Sequence, residues 1–565
     1  MSKQKLLTNR TFDGNDVPKL TKILYPWSGI FRDACYTLIG TFLIQYAITA
    51  GVLSNEADVF TSQYGVITIA MMIALLWDGI NDPIMGFILE KCHFKAGKFR
   101  PWIAIGAIGN AICVALMFLV PSVGLVSGWG YVGFMIAMYL IWDLFFTMND
   151  IGYWSMLPAL TNDARQRAQL TTQTAIAATI GTFVMNILMI LLPGTFSGAS
   201  TKAIYMWTGI LIAILFLISQ MVVFFLCKEK ERDVKQEEIS EKSSILDLFR
   251  IVWKNKQLGV CALSLLLFYF AEFILTGIGT NYFYMVFGYG GNKGGLVATV
   301  ISVIYVLATL VAQAFYPMLA KKLKKQKILN IMAIVIGVSY LAFFLVAFPL
   351  FGEHPLAYNT PDANNVMWVA GGSMCLYYIF SFLFFGATGV FYLALLVMFQ
   401  DSIDYGEWKF GERKESISFA WRPLDVKLAS GLNRGLQWLT FALTGTATAI
   451  NAISNAEGVY NADVAAANGN SALVDAATAV RDSTIATEMG KVTRGQLVGF
   501  GCIIIGVILV CFIASWALLH FGYKIDEDQE KKIVEELEKR RKKDNQEVNG
   551  KVVAPETTDS ATTSV

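Results

Sequence analysis

Charge is scarce in this chain: only 16% of its 565 residues are Asp, Glu, Lys or Arg, against 55% that are hydrophobic, and the formal net charge is +2. So small a balance gives no polyanion-binding surface, and the basic residues gather in short loops instead of forming a face, so no nucleic-acid partner is expected. Histidine is rarer still: His93, His354 and His520 lie far apart, and no local metal motif contains them. Eight cysteines occur without a C-x-x-C pair, and Cys113, Cys261, Cys375, Cys502 and Cys511 sit inside apolar stretches. That pattern implies neither a disulfide framework nor a zinc site. There is no Ser/His/Asp set and no phosphate-binding loop, so a membrane enzyme or a non-transporting receptor is a remote alternative. Residues 1–22 are polar and lack an apolar core followed by a cleavage site, so no cleaved signal is expected and the first residues should stay in the cytoplasm.

What the chain has in excess is long apolar runs. A helix needs roughly 20 apolar residues to cross a bilayer, and about twelve such spans can be placed, near 31–53, 64–92, 101–121, 129–158, 169–194, 203–227, 257–288, 295–319, 327–350, 366–400, 423–453 and 494–522. The loop 91–100 carries Lys91, Lys95, Lys98 and Arg100, and the loop 320–327 carries five lysines, whereas the alternate loops near 54–63, 121–129 and 351–365 have no Lys or Arg. By the positive-inside rule the basic loops and both termini are cytoplasmic, in a plasma membrane crossed many times. The expectation is an all-α membrane protein in contact with the lipid bilayer. Its organisation would be a cytoplasmic tail 1–28, a six-helix bundle 29–227, a charged cytoplasmic linker 228–256, a second six-helix bundle 257–522 and a cytoplasmic tail 523–565. Two bundles around a midplane cavity would produce that division. The stretch 245–253 is amphipathic and should lie at the membrane surface. The Ala-rich segment 454–492 is a long outer loop, rich enough in alanine to be partly helical, and the charged tail is expected to be a solvated helix or a disordered end.

Polar groups inside these spans carry the functional information. Asp78, Asn81 and Asp82 share one helical face at i, i+3 and i+4, where an ionised carboxylate costs at least ~3 kcal/mol unless it is paired or coordinating something. Two carboxylates and an amide oxygen turned one way suit a small cation or a proton; a packing network tied to a distant Lys or Arg is the competing reading. Asp143, Thr147, Asp150 and Trp154, at i, i+4, i+7 and i+11, form a polar stripe on the fourth span. Carboxylates accept bonds from sugar hydroxyls, and an indole face packs against the apolar side of a pyranose ring. A helix–helix ion pair beside a core Trp would leave the same stripe. Arg32-Asp33, near the start of the first span, could face the same cavity or sit at the interface.

The run Trp77 to Gly86, the Gly97-Lys98-Phe99-Arg100-Pro101-Trp102 sequence, Thr147 to Ser155, and Asp404-Tyr405-Gly406-Glu407 followed by Lys427 closely resemble the glycoside-pentoside-hexuronide:cation symporters. That family is a branch of the major facilitator superfamily, and the resemblance runs from about Arg32 to Gly445. It implies a major facilitator fold of twelve transmembrane helices. It implies alternating access in which Na⁺, Li⁺ or H⁺ moves with a sugar and no other cofactor takes part. It also places Asp78, Asn81, Asp82 and Thr147 on the cation site, Asp33, Asp150 and Trp154 on the sugar site, and Lys427 on a lysine that approaches the cation site. Asn81 leans the coupling toward a metal ion, because an amide ligates but does not titrate.

Departures from the pattern matter as much. Where the family's type member, melibiose permease, has a sugar-binding arginine on the fifth span, this chain has Ala175, with Gln173 beside it as a hydrogen-bonding substitute. Asp143 stands where the relative has a small residue, and Arg434 lies seven residues beyond Lys427. An arginine at that depth needs a partner, and Asp143, Asp33 or Glu272 could serve, as could the ligand. An Asp143–Arg434 pair would join the two bundles as a gate. The leading expectation is cation-coupled symport of a glycoside or oligosaccharide. An amphipathic cargo such as a steroid or lysolipid is the alternative, given 39 Phe, 22 Tyr and 13 Trp.

Overall fold

A computed structural model describes residues 11–12, 16–91, 94, 96–160, 164–193, 199–230, 245–362, 364–411, 421–526 and most of 528–539. Among these, twelve helices have 22 residues or more: α1 Lys19–Gly40, α3 Ala57–Lys91, α4 Arg100–Ser122, α5 Gly128–Ala159, α6 Ala164–Leu191, α7 Thr201–Leu226, α9 Lys256–Phe287, α10 Gly294–Lys322, α11 Lys325–Ala347, α12 Cys375–Phe410, α13 Trp421–Thr444 and α16 Arg494–Ala517. Four shorter ones join them: α2 Phe42–Thr49, α8 Ile245–Lys254, α14 Ala447–Ala466 and α15 Ser471–Met489.

Ten of the long helices are long and apolar enough to cross a membrane. The α7 helix shows why they settle there. Trp207, Leu211, Ile214 and Ile218 are exposed on one face, while Tyr205, Ile212, Phe216 and Val223 are buried on the other. A helix that is apolar all round is stable only with protein on one side and lipid on the other. The two long helices outside this set are α1 and α13. Arg32 and Asp33 interrupt the first, Lys427 and Arg434 the second, and both helices are enclosed: α1 packs on α6 and α7, and α13 lies between α3 and α9.

Helices α1 and α3–α7 pack on one another as one bundle, and α9–α13 with α16 as a second; they meet where α3 runs against α13 and α6 against α10. Small residues let backbones approach closely: a Cβ on Gly181 of α6 would fall 2.0 Å from the Ile30 carbonyl oxygen of α1. Both described ends of the chain lie at one end of the molecule. There β1 (Thr11–Phe12) pairs in parallel with β2 (Glu229–Lys230), and the Glu229 carboxylate accepts the backbone amides of Lys98, Phe99 and Arg100.

Two elements, the first helix and the charged tail, differ from the sequence expectation, and the partly helical 454–492 segment follows it. The first helix begins at Lys19, well before 31, and breaks at Thr41 before α2, so Arg32 and Asp33 lie beyond the middle of α1 and not near its start. The 454–492 segment is a helical hairpin, α14–α15, at the end of the molecule opposite the termini. The charged tail is docked: Lys325 pairs with Asp401 and, at 2.6 Å, with Glu530, and Ile533 and Leu537 are buried. Apolar residues spaced among the tail's charges give it a face to bury.

Candidate functional site

The Asp78 face of α3 meets a base from the other bundle. The Lys427 ammonium on α13 lies 2.7 Å from an Asp78 oxygen and also donates to Asp82. On α5, the Thr147 hydroxyl donates to the second Asp78 oxygen at 3.1 Å, and Asn81 is buried one turn along α3. Asp143, one turn before Thr147, is buried and close enough to Asp78, Lys427 and Asp82 to interact with their charges. No hydrogen bond or ion pair of Asp143 is found among the described residues. Two carboxylates therefore share one ammonium with a third acid near by, and an excess of hard oxygen acids around a single base is an arrangement that attracts a further proton or small cation.

A second cluster forms around Arg32, whose side chain is only 1% exposed. Its guanidinium bonds Asp33 at 2.8 and 3.1 Å and sits 4.3 Å from the centroid of the Tyr153 ring and 4.9 Å from that of Trp154. Nη1 is 3.2 Å from Asp150 but is not aligned as a hydrogen bond, so both groups keep bonding capacity. The Asp150 side chain is 36% exposed although protein surrounds it, and Trp154 is exposed as well. Both therefore keep accessible surface beside Arg32. Tyr36, which packs against the stacked Trp142 and Phe146 rings, lies close enough to Asp78, Lys427, Arg434 and Asp150 to feel their charges.

Sequence reasoning gave roles to Asp33, Asp150 and Trp154 but none to Arg32, the cation that joins them. The available signal was its own rule that an intramembrane arginine has a partner. The structure does not bring Asp143 to Arg434. Instead Arg434 donates across the bundle interface to the Gly40 carbonyl and lies 3.2 Å from the Met71 sulfur. Gly40 ends α1, and the break at Thr41 leaves its carbonyl without the usual helical donor, so a cation at the helix C-terminus replaces that bond. Glu272 accepts from Tyr305 at 2.9 Å within the second bundle, and Asp33 is committed to Arg32. Gln173 is exposed on α6 and makes no recorded polar contact with the Arg32 cluster among the described residues.

Residues 57–527 match the sequence model of the MFS/sugar transport protein family. The chain belongs to this family. Among curated members, the raffinose carrier protein of Pediococcus pentosaceus is 23% identical over 77% of this chain and 64% of its own length. The lactose permease of Leuconostoc lactis is 26% identical over 79% of this chain and 66% of its own length. The chain thus spans about two thirds of the length of these relatives. A crystal structure of a point mutant of the nucleoside transporter NupG superposes with a TM-score of 0.50 at 14% identity, covering 88% of this chain and 99% of that one; it supports the major facilitator fold alone. As a family member the chain is a multi-pass membrane protein, and the resemblance to glycoside-pentoside-hexuronide:cation symporters holds across the matched region.

Proposed function

We propose that this chain is a secondary active transporter that moves a glycoside or oligosaccharide together with Na⁺, Li⁺ or H⁺ by alternating access, with both termini in the cytoplasm. The observation that carries the reading is Lys427, a base from one bundle held by Asp78 and Asp82 of the other. A cation entering among Asp78, Asn81, Asp82 and Thr147 competes with the ammonium for the same oxygens. Binding it releases Lys427 and changes the attraction between the bundles, which is the differential interaction that coupling requires. The Arg32 cluster supplies the sugar half. Asp150 offers an acceptor to the hydroxyls, Arg32 behind it fixes that carboxylate and its charge, and Trp154 offers a face for the ring. Relatives named for raffinose and lactose support an oligosaccharide cargo over an amphipathic one.

The test is uptake of labelled lactose and raffinose into vesicles with imposed Na⁺, Li⁺ or H⁺ gradients. Accumulation should require one of these cations. Asp78→Asn and Asp82→Asn should abolish accumulation while leaving sugar exchange, and Asp150→Ala should weaken sugar binding roughly tenfold or more. Concentrative uptake by either Asn variant without a cation gradient would remove these residues from coupling.

A further inference from the structure

The hairpin α14–α15 is covalently part of the second bundle, inserted between α13 and α16, yet much of its docking surface belongs to the first. Asn451 and Asn455 donate to the Asn55 carbonyl at 3.3 and 3.0 Å, and Asn461 donates to that of Ala50 at 3.4 Å. Between them the backbones touch. Gly51 adopts φ +67°, and a Cβ there would lie 2.5 Å from the Gly458 nitrogen. Only glycine accepts both the conformation and the contact.

Beneath this seam one carboxylate ties three segments together. Glu457, fully buried on α14, accepts the Thr201 backbone amide and the Thr201 hydroxyl, each at 3.0 Å. Thr201 opens α7, so the acid sits at a helix N-terminus, where negative charge is favoured. Tyr289, in the α9–α10 connection of the second bundle, donates to Glu457 at 3.3 Å. Arg481 on α15 approaches to 3.5 Å while stacking 4.6 Å from the Tyr460 ring centroid. Near this end Gln45 of α2 and Asn281 of α9 also exchange amide hydrogen bonds at 3.2 Å.

We propose that the α14–α15 hairpin is a strap holding the two bundles together at this end, and that it must lift off α2 and Thr201 before the cavity can open there. The proposal rests on the alternating-access reading, because a rigid two-bundle protein would need no release. All the described bonds from the hairpin to the first bundle end on backbone carbonyls, one amide and one hydroxyl. These are groups that water can satisfy once the strap is free, so release leaves no unpaired charge on the first bundle. The Glu457–Arg481 pair stays within the hairpin and moves with it.

Two measurements on the full-length chain test this, in a background with Cys375→Ser and Cys502→Ser. In purified protein, a cysteine at the buried Ser454 position reports lifting through its alkylation rate. Glu457→Gln keeps the size of the side chain but weakens its bonds to Thr201, and should speed alkylation about tenfold; Asn455→Ala, a milder change, should speed it less. Equal rates in the reference, Glu457→Gln and Asn455→Ala chains would overturn the strap. In vesicles, the pair Asn55→Cys and Asn455→Cys, oxidised to a disulfide, should stop lactose and raffinose uptake, and reduction should restore it. Full uptake by the oxidised chain would overturn the strap. Should the reduced chain move neither sugar, the proposed cargo is wrong, and the alkylation rates alone decide the strap.

Discussion

The Lys427 centre and the Glu457 centre both place two acids against one base within a junction of the two bundles, and they differ in access. At the first, Asp78 and Asp82 hold one ammonium with Asp143 near by, and the Asp82 and Lys427 side chains are 32% and 17% exposed. At the second, Arg481 bonds Asp482 at 2.8 Å and lies 3.5 Å from Glu457, which accepts from Thr201 and Tyr289, and the Glu457 and Arg481 side chains are 0% and 1% exposed. Burial raises the Glu457 carboxyl above its ordinary range, and the Arg481 charge opposes that shift. A dry, hydrogen-bonded network stabilises one arrangement. An accessible cluster with surplus acid can exchange its partner for an ion. The difference lies in access, since each centre sets two paired carboxylates against one cation.

The largest effect should come from breaking the first centre. Lys427→Ala leaves Asp78 and Asp82 without a base, and removing one partner of a buried pair costs about 3 to 5 kcal/mol. The loss should appear as a lower unfolding temperature and no uptake, and adding Asp82→Asn should restore much of the stability. If the double variant is no more stable than Lys427→Ala, the acids do not repel through that site.

Arg32→Ala should rank next, because it frees Asp33 and Asp150 together. Arg32→Lys keeps the charge but loses the planar fork and the stacking on Tyr153 and Trp154, so it should fold yet bind sugar at least about tenfold more weakly. Calorimetric titration of purified Arg32→Lys with raffinose or lactose checks this; unchanged affinity would make the arginine purely structural.

Arg434→Ala should cost about 1 to 2 kcal/mol, the worth of a cation at a partly buried helix C-terminus. Because Arg434 caps Gly40 and does not meet Asp143, the losses in Arg434→Ala and Asp143→Ala should add to within ~0.5 kcal/mol in the double variant. Recovery in the double variant would instead reveal an ion pair formed in another state.

Trp154→Phe should be the mildest, losing about 0.5 to 1 kcal/mol of cation–π attraction to Arg32 while keeping an aromatic face. Equilibrium sugar binding should fall severalfold, and Trp154→Ala should fall further.

The fold class and much of the candidate site were legible in the sequence for one reason. In a membrane, an apolar run of a given length has few possible structures, and a charge within it demands an explanation. That logic marked Asp78, Asp82 and Asp150 by cost, helical spacing set Asn81 beside the first two and Thr147 beside the third, and Lys427 came from the family resemblance. It failed where position depends on partners from distant segments. Arg434 has several intramembrane acids within plausible reach, and nothing local says that the free carbonyl at Gly40 outcompetes them, because the break at Thr41 is itself a tertiary feature. Arg32 was visible as a charge but not as the hub joining Asp33, Asp150 and two aromatic rings. The 454–492 segment has helix-forming composition, yet its docking depends on Gly51 meeting Gly458 across some four hundred residues of chain. Spacing and hydropathy thus determine what each helix is and which side chains must be reconciled with the membrane. Which of those side chains satisfy one another is decided only when the two bundles meet, since hydrogen bonds and ion pairs act over a few ångströms and take no account of distance along the chain.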